Sequence, residues 1–93
     1  MKESIMPDYY KWSTTYFPGL HKHHIFGGAN RKLSDQDGLF IYLVPELHNM
    51  SDAGIHFDKD FMDYAHREGQ KAWQKYYGKT KEDFIKRYGK SYI

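Results

Sequence analysis

The stretch HKHHIFGGANRKLSDQDGLFIYLVPELH, residues 21–48, decides how this chain folds. Its clearest element is Leu39–Val44 (LFIYLV), a short apolar run rich in aromatic and β-branched residues, with Gly38 before it and Pro45 after. That composition between two breakers reads as a buried strand. Leu20–Phe26 reads as a second short strand, ended by Gly27-Gly28, and the polar residues 29–38 read as a loop holding at most one helical turn. Pro45 suits the first turn of a helix, so Pro45–Met50 is expected to start one, with Ser51–Gly54 breaking it.

Outward from this centre, residues 1–19 are aromatic-rich and irregular, with a turn at Pro18-Gly19. Downstream, Asp58 is a suitable N-cap for a long helix to about Tyr77. Its apolar stripe is Phe61, Ala65, Gly69, Ala72, Trp73 and Tyr76. This is the spacing of a helix that buries one side, and Gly69 in the stripe would let another backbone approach. Gly78 ends that helix. Thr80, with Asp83 three residues on, caps another that ends at Gly89. The expected fold class is α+β: a hairpin and short helix with two C-terminal helices appended. It is read as one domain over residues 1–93, with a motif core at 20–58 and a helical part at 58–93.

Composition narrows the function. Apolar residues are 40% and charged residues 28% of the 93, which fits a folded domain and not a disordered chain. A chain this short buries a limited share of its surface, so a bound metal or a homodimer partner would be a natural source of extra stability. There is no apolar run of membrane-spanning length and no signal-peptide pattern in MKESIMPDYYKW. The chain has no cysteine. That excludes disulfides and thiolate zinc sites and suits a reducing cytoplasm. The net charge of +2 is small, but its distribution is uneven. Asp35 to Asp63 holds seven acids against Lys59 alone, whereas Arg67 onward holds eight bases against three acids. A metal site beside a phosphate-binding surface has this pattern, with Lys71 and Lys75 as contacts. So does a solvated lysine-rich helix.

Five of the six histidines lie between 21 and 56: His21, His23, His24, His48 and His56. Successive strand residues face opposite ways, so His23 and His24 suit two different tasks. One imidazole can hold a metal while its neighbour acts as general base on a phosphodiester. His48, on the short helix, is placed to close on His23 across the hairpin. His21 and His66 read as surface residues. Arg31 and Lys32, beyond the glycines, would hold phosphates or stand as solvated loop charges. Gly27 and Gly28 read as a turn, and the tyrosines chiefly as core.

The segment HKHHIFGGANRKLS, continued by GLFIYLVPELHNMSDAGIHFD, resembles the small HNH-type (ββα-metal, His-Me finger) endonucleases of phages and prophages. The resemblance covers about residues 20–58, and the ending FIKRYGKSYI looks like the same group. It implies a ββα-metal hairpin and helix around one divalent ion (Mg, Mn, Ni or Zn), and hydrolysis of DNA phosphodiester bonds in a bacterial host's cytoplasm. His23 would be a ligand, His24 the general base, and His48 a second ligand. The further ligand would be His56, with Asp52 as the competing choice. The chain departs from the pattern at two places. Val44 and Leu47 stand where many relatives carry the cysteines of a zinc knuckle. Gly38 and Leu39 stand where the family's middle asparagine usually precedes the second strand, leaving Asn30 or Asn49 to substitute. The rival expectations are a catalytically degenerate module of this fold that binds DNA or serves assembly, and a structural zinc module.

Overall fold

The computed structural model describes residues 3–48 and 59–93. Strand β1 (His21–His24) pairs antiparallel with β2 (Phe40–Leu43), in the register His21↔Leu43, Lys22↔Tyr42, His23↔Ile41 and His24↔Phe40. Among the described residues four α-helices accompany this hairpin: α1 (Arg31–Gln36), α2 (Pro45–His48), α3 (Lys59–Tyr77) and α4 (Lys81–Tyr88). The fold is therefore a small α+β arrangement in which the hairpin is followed by the short α2 and then by α3 and α4. Residues 49–58, with Asn49, Asp52, His56 and the proposed Asp58 cap, lie outside the described residues.

Both strands are shorter than the sequence suggested, and the N-terminal segment adds to the sheet. Ser13 and Tyr42 exchange backbone hydrogen bonds at 2.9 and 2.8 Å, so β2 is flanked on both sides. The connection from β1 to β2 departs from expectation. It holds a 3-10 turn (Gly28–Asn30) and the six-residue α1, more helix than one turn in a loop. Leu33 is the only large apolar side chain in α1, so no amphipathic stripe announces it. Tertiary contacts hold it instead. Ser34, fully buried, donates its hydroxyl to the Leu39 carbonyl and accepts from the Phe26 amide. Gly38 then turns the chain into β2 with a φ of +79°, a conformation that favours glycine.

The core gathers Ile25, Leu39, Ile41 and Leu43 from the hairpin with Phe61, Ala65 and Trp73 of α3 and Phe84 of α4. Gly69 sits where the stripe placed it. A Cβ there would meet Ile25 Cγ2 at 2.7 Å, so the missing side chain lets α3 close on the residue after His24. Tyr76 departs from the expected stripe: it is exposed, and Gln70 is buried in its place. The Gln70 amide oxygen accepts from the Tyr92 backbone N–H at 2.6 Å and tethers the C-terminus to α3. Helix α4 begins with the reciprocal Thr80–Asp83 capping box and ends at Gly89, whose φ is +96°.

Asp37, at the end of α1, locks the two halves together. Its buried carboxylate accepts from Trp73 Nε1 (2.9 Å), Arg87 Nε and Nη2 (2.6 and 2.8 Å) and the Tyr88 hydroxyl (2.6 Å). Burial, with the hydrogen bond to Asp37 second, raises the Tyr88 hydroxyl above its usual pKa, so it remains a donor. The hydrogen bond to Asp37 likewise raises Arg87.

Candidate active site

Strand alternation divides the histidines into two groups. His21 and His23 face α2, where the His48 ring lies at 5.4 Å from the His21 ring and 5.3 Å from the His23 ring, nearly perpendicular to both. Lys22 and His24 project from the other face and meet one carboxylate. Asp35 Oδ1 lies 2.7 Å from Lys22 Nζ and 3.0 Å from His24 Nε2. These hydrogen bonds, Lys22 first and His24 second, hold the Asp35 carboxyl below its ordinary pKa. Asp35 is thus an anion facing an imidazole. The tautomer that satisfies the pair carries its hydrogen on Nε2 and leaves Nδ1 as a proton acceptor. The His24 side chain is 15% exposed, which leaves it open to a small reactant while its ring is fixed.

Two adjoining hollows meet at His24. One, about 500 Å³, is lined by His23, His24, His48, His66, Lys22 and Arg31. The other, about 510 Å³, is lined by Lys22, His24, Arg31, Lys32 and Asp35. Each falls within the range of small-molecule sites. Three cations (Lys22, Arg31 and Lys32) therefore border the imidazole–carboxylate pair, and Arg31 stands at the junction. Of the residues read as phosphate contacts, Arg31 and Lys32 are brought to His24. Lys71 and Lys75 are not. They line a separate groove of about 520 Å³ with Ile5, Pro7 and Tyr76, and Lys71 pairs with Glu68 at 3.4 Å. Lys75 is nine residues after His66, half a turn round a helix of 100° per residue, so it points away from the cleft.

The structure brings His23 and His48 together as their spacing implied. The two offer the imidazole nitrogens that divalent transition ions accept, and their ring centres lie 5.3 Å apart. No group of three or more His, Cys, Asp or Glu side chains is arranged to hold a metal ion among the described residues. His56 and Asp52 fall outside them.

Three contributors escaped the sequence reading. Asp35 and Lys22 act through a pairing across the loop that no local spacing displays, although Lys22 alternates with His23 and so shares the face of His24. His66, read as a surface residue, is half-buried in the cleft wall, with its ring stacked on Phe26 at 5.3 Å and against Tyr92 at 4.7 Å. Its position one turn after Met62 on the inner side of α3 was the available signal. Asn30, a candidate substitute for the missing asparagine, donates its amide to the Tyr88 carbonyl at 2.9 Å and so anchors the loop before Arg31 to the end of α4. Comparison with protein-family models, with curated proteins and with solved structures found no match for this chain.

Proposed function

We propose that this protein is a metal-dependent endonuclease that hydrolyses DNA phosphodiester bonds on a ββα-metal hairpin. The observation that carries the reading is the division of labour across β1, with an imidazole–carboxylate pair on one face and facing imidazoles on the other. His24, oriented by Asp35, takes the proton from a water molecule as that water attacks phosphorus. Lys22, Arg31 and Lys32 hold the phosphates flanking the scissile bond. His23 and His48 would hold the divalent ion, with His56 or Asp52 as the further ligand that the resemblance implies. When bound, the ion stabilises negative charge on the phosphate and the leaving oxygen. Imidazole donors favour nickel or zinc over magnesium in affinity, and magnesium is favoured by its abundance in cells.

The test is plasmid cleavage with magnesium, manganese, nickel or zinc, beside His24→Ala and Asp35→Asn. His24→Ala should retain metal and DNA binding and lose roughly 100-fold or more in rate, the scale of a positioned base. Asp35→Asn should lose about 10-fold or more, because the imidazole keeps its place but loses the anion that orients it. A His24→Ala protein that cuts as fast as the parent would refute the assignment. If the parent binds DNA in a salt-dependent way without cutting it, a degenerate DNA-binding module is the better reading. The Gly38-Leu39 departure favours that second reading.

A further inference from the structure

We propose that the sheet face carrying His24 extends into a stacking site, built by Tyr42 and Tyr16, for an unpaired base of single-stranded DNA. The proposal rests on the phosphodiester reading above and narrows its substrate to a strand whose bases are unpaired near the bond held at His24. Its basis is the register of the hairpin. Lys22 lies opposite Tyr42 and His24 opposite Phe40, so these four side chains share one face. That face is continuous. Lys22 Nζ lies 2.7 Å from Asp35 Oδ1 and 4.1 Å from the centre of the Phe40 ring. The Phe40 ring stands 6.0 Å from that of Tyr42, and the Tyr42 ring 5.5 Å from that of Tyr16.

The outer end of this face is a notch. Tyr16 meets Tyr42 with 70° between the ring planes, so one ring makes a floor and the other a wall. Tyr16 is 57% exposed and Tyr42 is half-buried, so a flat ring can reach both. They line a hollow of about 400 Å³ with Glu3, Thr14 and Thr15. Among the described residues no lysine or arginine lines it, and Glu3 disfavours a phosphate there. The hollow beside His24 has the opposite character, with Lys22, Arg31 and Lys32 on its walls. Cations at one end and aromatic rings at the other match the phosphate and the base of a nucleotide. Two strand residues, about 7 Å, separate the His24 row from the Tyr42 row, a span that one nucleotide covers. The notch is held by its own backbone. Ser13 and Tyr42 exchange backbone hydrogen bonds, and the Ser13 hydroxyl donates to the Thr15 carbonyl and accepts from the Thr15 amide. Inside a duplex both faces of a base are covered by its neighbours, so only an unpaired base offers a face to the tyrosines.

The experiment is fluorescence anisotropy of labelled oligothymidine, of the same strand made abasic throughout, and of a blunt duplex. EDTA is present, so that metal plays no part. The parent should bind oligothymidine roughly tenfold or more tighter than the abasic strand, the scale of one base stacked on an aromatic side chain. Tyr16→Ala and Tyr42→Ala should each remove most of that difference and leave the affinity for the abasic strand as it was. Circular dichroism checks the fold, and exposed Tyr16 carries the test if Tyr42→Ala misfolds. A folded Tyr16→Ala protein that binds oligothymidine as tightly as the parent overturns the inference. So does a parent that binds the abasic strand equally well. Cleavage assays on the same proteins separate this result from the nuclease reading. If the parent cuts DNA and Tyr16→Ala binds and cuts single strands equally well, the inference fails and the nuclease stands. If binding of oligothymidine depends on Tyr16 and the parent cuts nothing under any metal, the stacking site stands and the nuclease fails.

Discussion

Replacing Asp37 by alanine should cost this protein a large part of its stability. The carboxylate receives four hydrogen bonds from three side chains, and their environments set the size of the loss. Trp73 and Tyr88 are buried, at 5% and 4% exposure, so Asp37→Ala strands an indole N–H and a hydroxyl away from water. Each stranded donor costs about 1–3 kcal/mol. The Arg87 side chain is 35% exposed and can turn to solvent, so its share is discounted to about 1 kcal/mol or less. The expected loss is about 3–5 kcal/mol. A domain of this length has a total of roughly 5–14 kcal/mol. The melting temperature should therefore fall by about 12 °C or more. Arg87→Ala should cost less than Asp37→Ala, because the carboxylate keeps its Trp73 and Tyr88 donors. Urea unfolding followed by tryptophan fluorescence measures both variants. An Asp37→Ala protein within about 1 kcal/mol of the parent, with an unchanged m-value, would refute the reasoning.

Two other perturbations follow from packing and from charge. Gly69→Ala should destabilise by about 1–2 kcal/mol in thermal unfolding despite alanine's better helix propensity, because the new methyl meets Ile25 Cγ2 at 2.7 Å; a more stable variant would mean that the hairpin and α3 are not in close contact. His66 has its pKa lowered chiefly by burial, against the opposing pull of Asp63 and of its hydrogen bond to the Ile25 backbone, so the folded state binds its proton more weakly than the unfolded chain does. Stability should therefore fall as pH drops from about 6.5, the ordinary histidine value, toward the lowered folded pKa, and His66→Gln should flatten that part of the curve; an equally steep curve for the variant would place the titration elsewhere.

The sequence makes some of this architecture legible and hides other parts, for physical reasons. LFIYLV could be read because a buried strand between a glycine and a proline needs no distant partner to identify it. The Thr80–Asp83 capping box is just as local. Gly69 was legible because a glycine in an apolar stripe has few uses except close approach. Helix α1 was not, because its six residues carry a single large apolar side chain and its stability comes from Ser34 and Asp37 reaching other elements. Tyr76 and Gln70 exchanged roles for a related reason. Periodicity gives the angular position of a residue on α3, but the C-terminal tail, docking through Ser91 and Tyr92, decides which flank is covered. In the candidate site, the facing of His23 and His48 followed from the hairpin pattern. The Asp35–His24 bond did not, since it spans 11 residues through a loop whose conformation is tertiary.

Register is the property on which both proposed functions of β1 depend. A one-residue slip of a strand sends every side chain to the opposite face. Here it would send Lys22 and His24 toward α2 and His21 and His23 toward Asp35, exchanging the proposed base with the proposed ligand. The ladder alone is a weak guard, since four residues pair with four. The register is pinned just beyond the strand ends instead. Ile25 N–H bonds to the Leu39 carbonyl at 2.9 Å, and Leu39 N–H bonds to the Ser34 carbonyl at 2.8 Å. The Ser34 hydroxyl joins the Phe26 amide to that same Leu39 carbonyl. Three of these four bonds run through one buried serine, and together they fix residues 25–26 against residue 39, while Gly69 admits Ile25 to the surface of α3. With Ile25 held inward, alternation forces His24 outward toward Asp35 and His23 back toward His48. The chemistry proposed for the histidines is therefore set by residues that carry none of it.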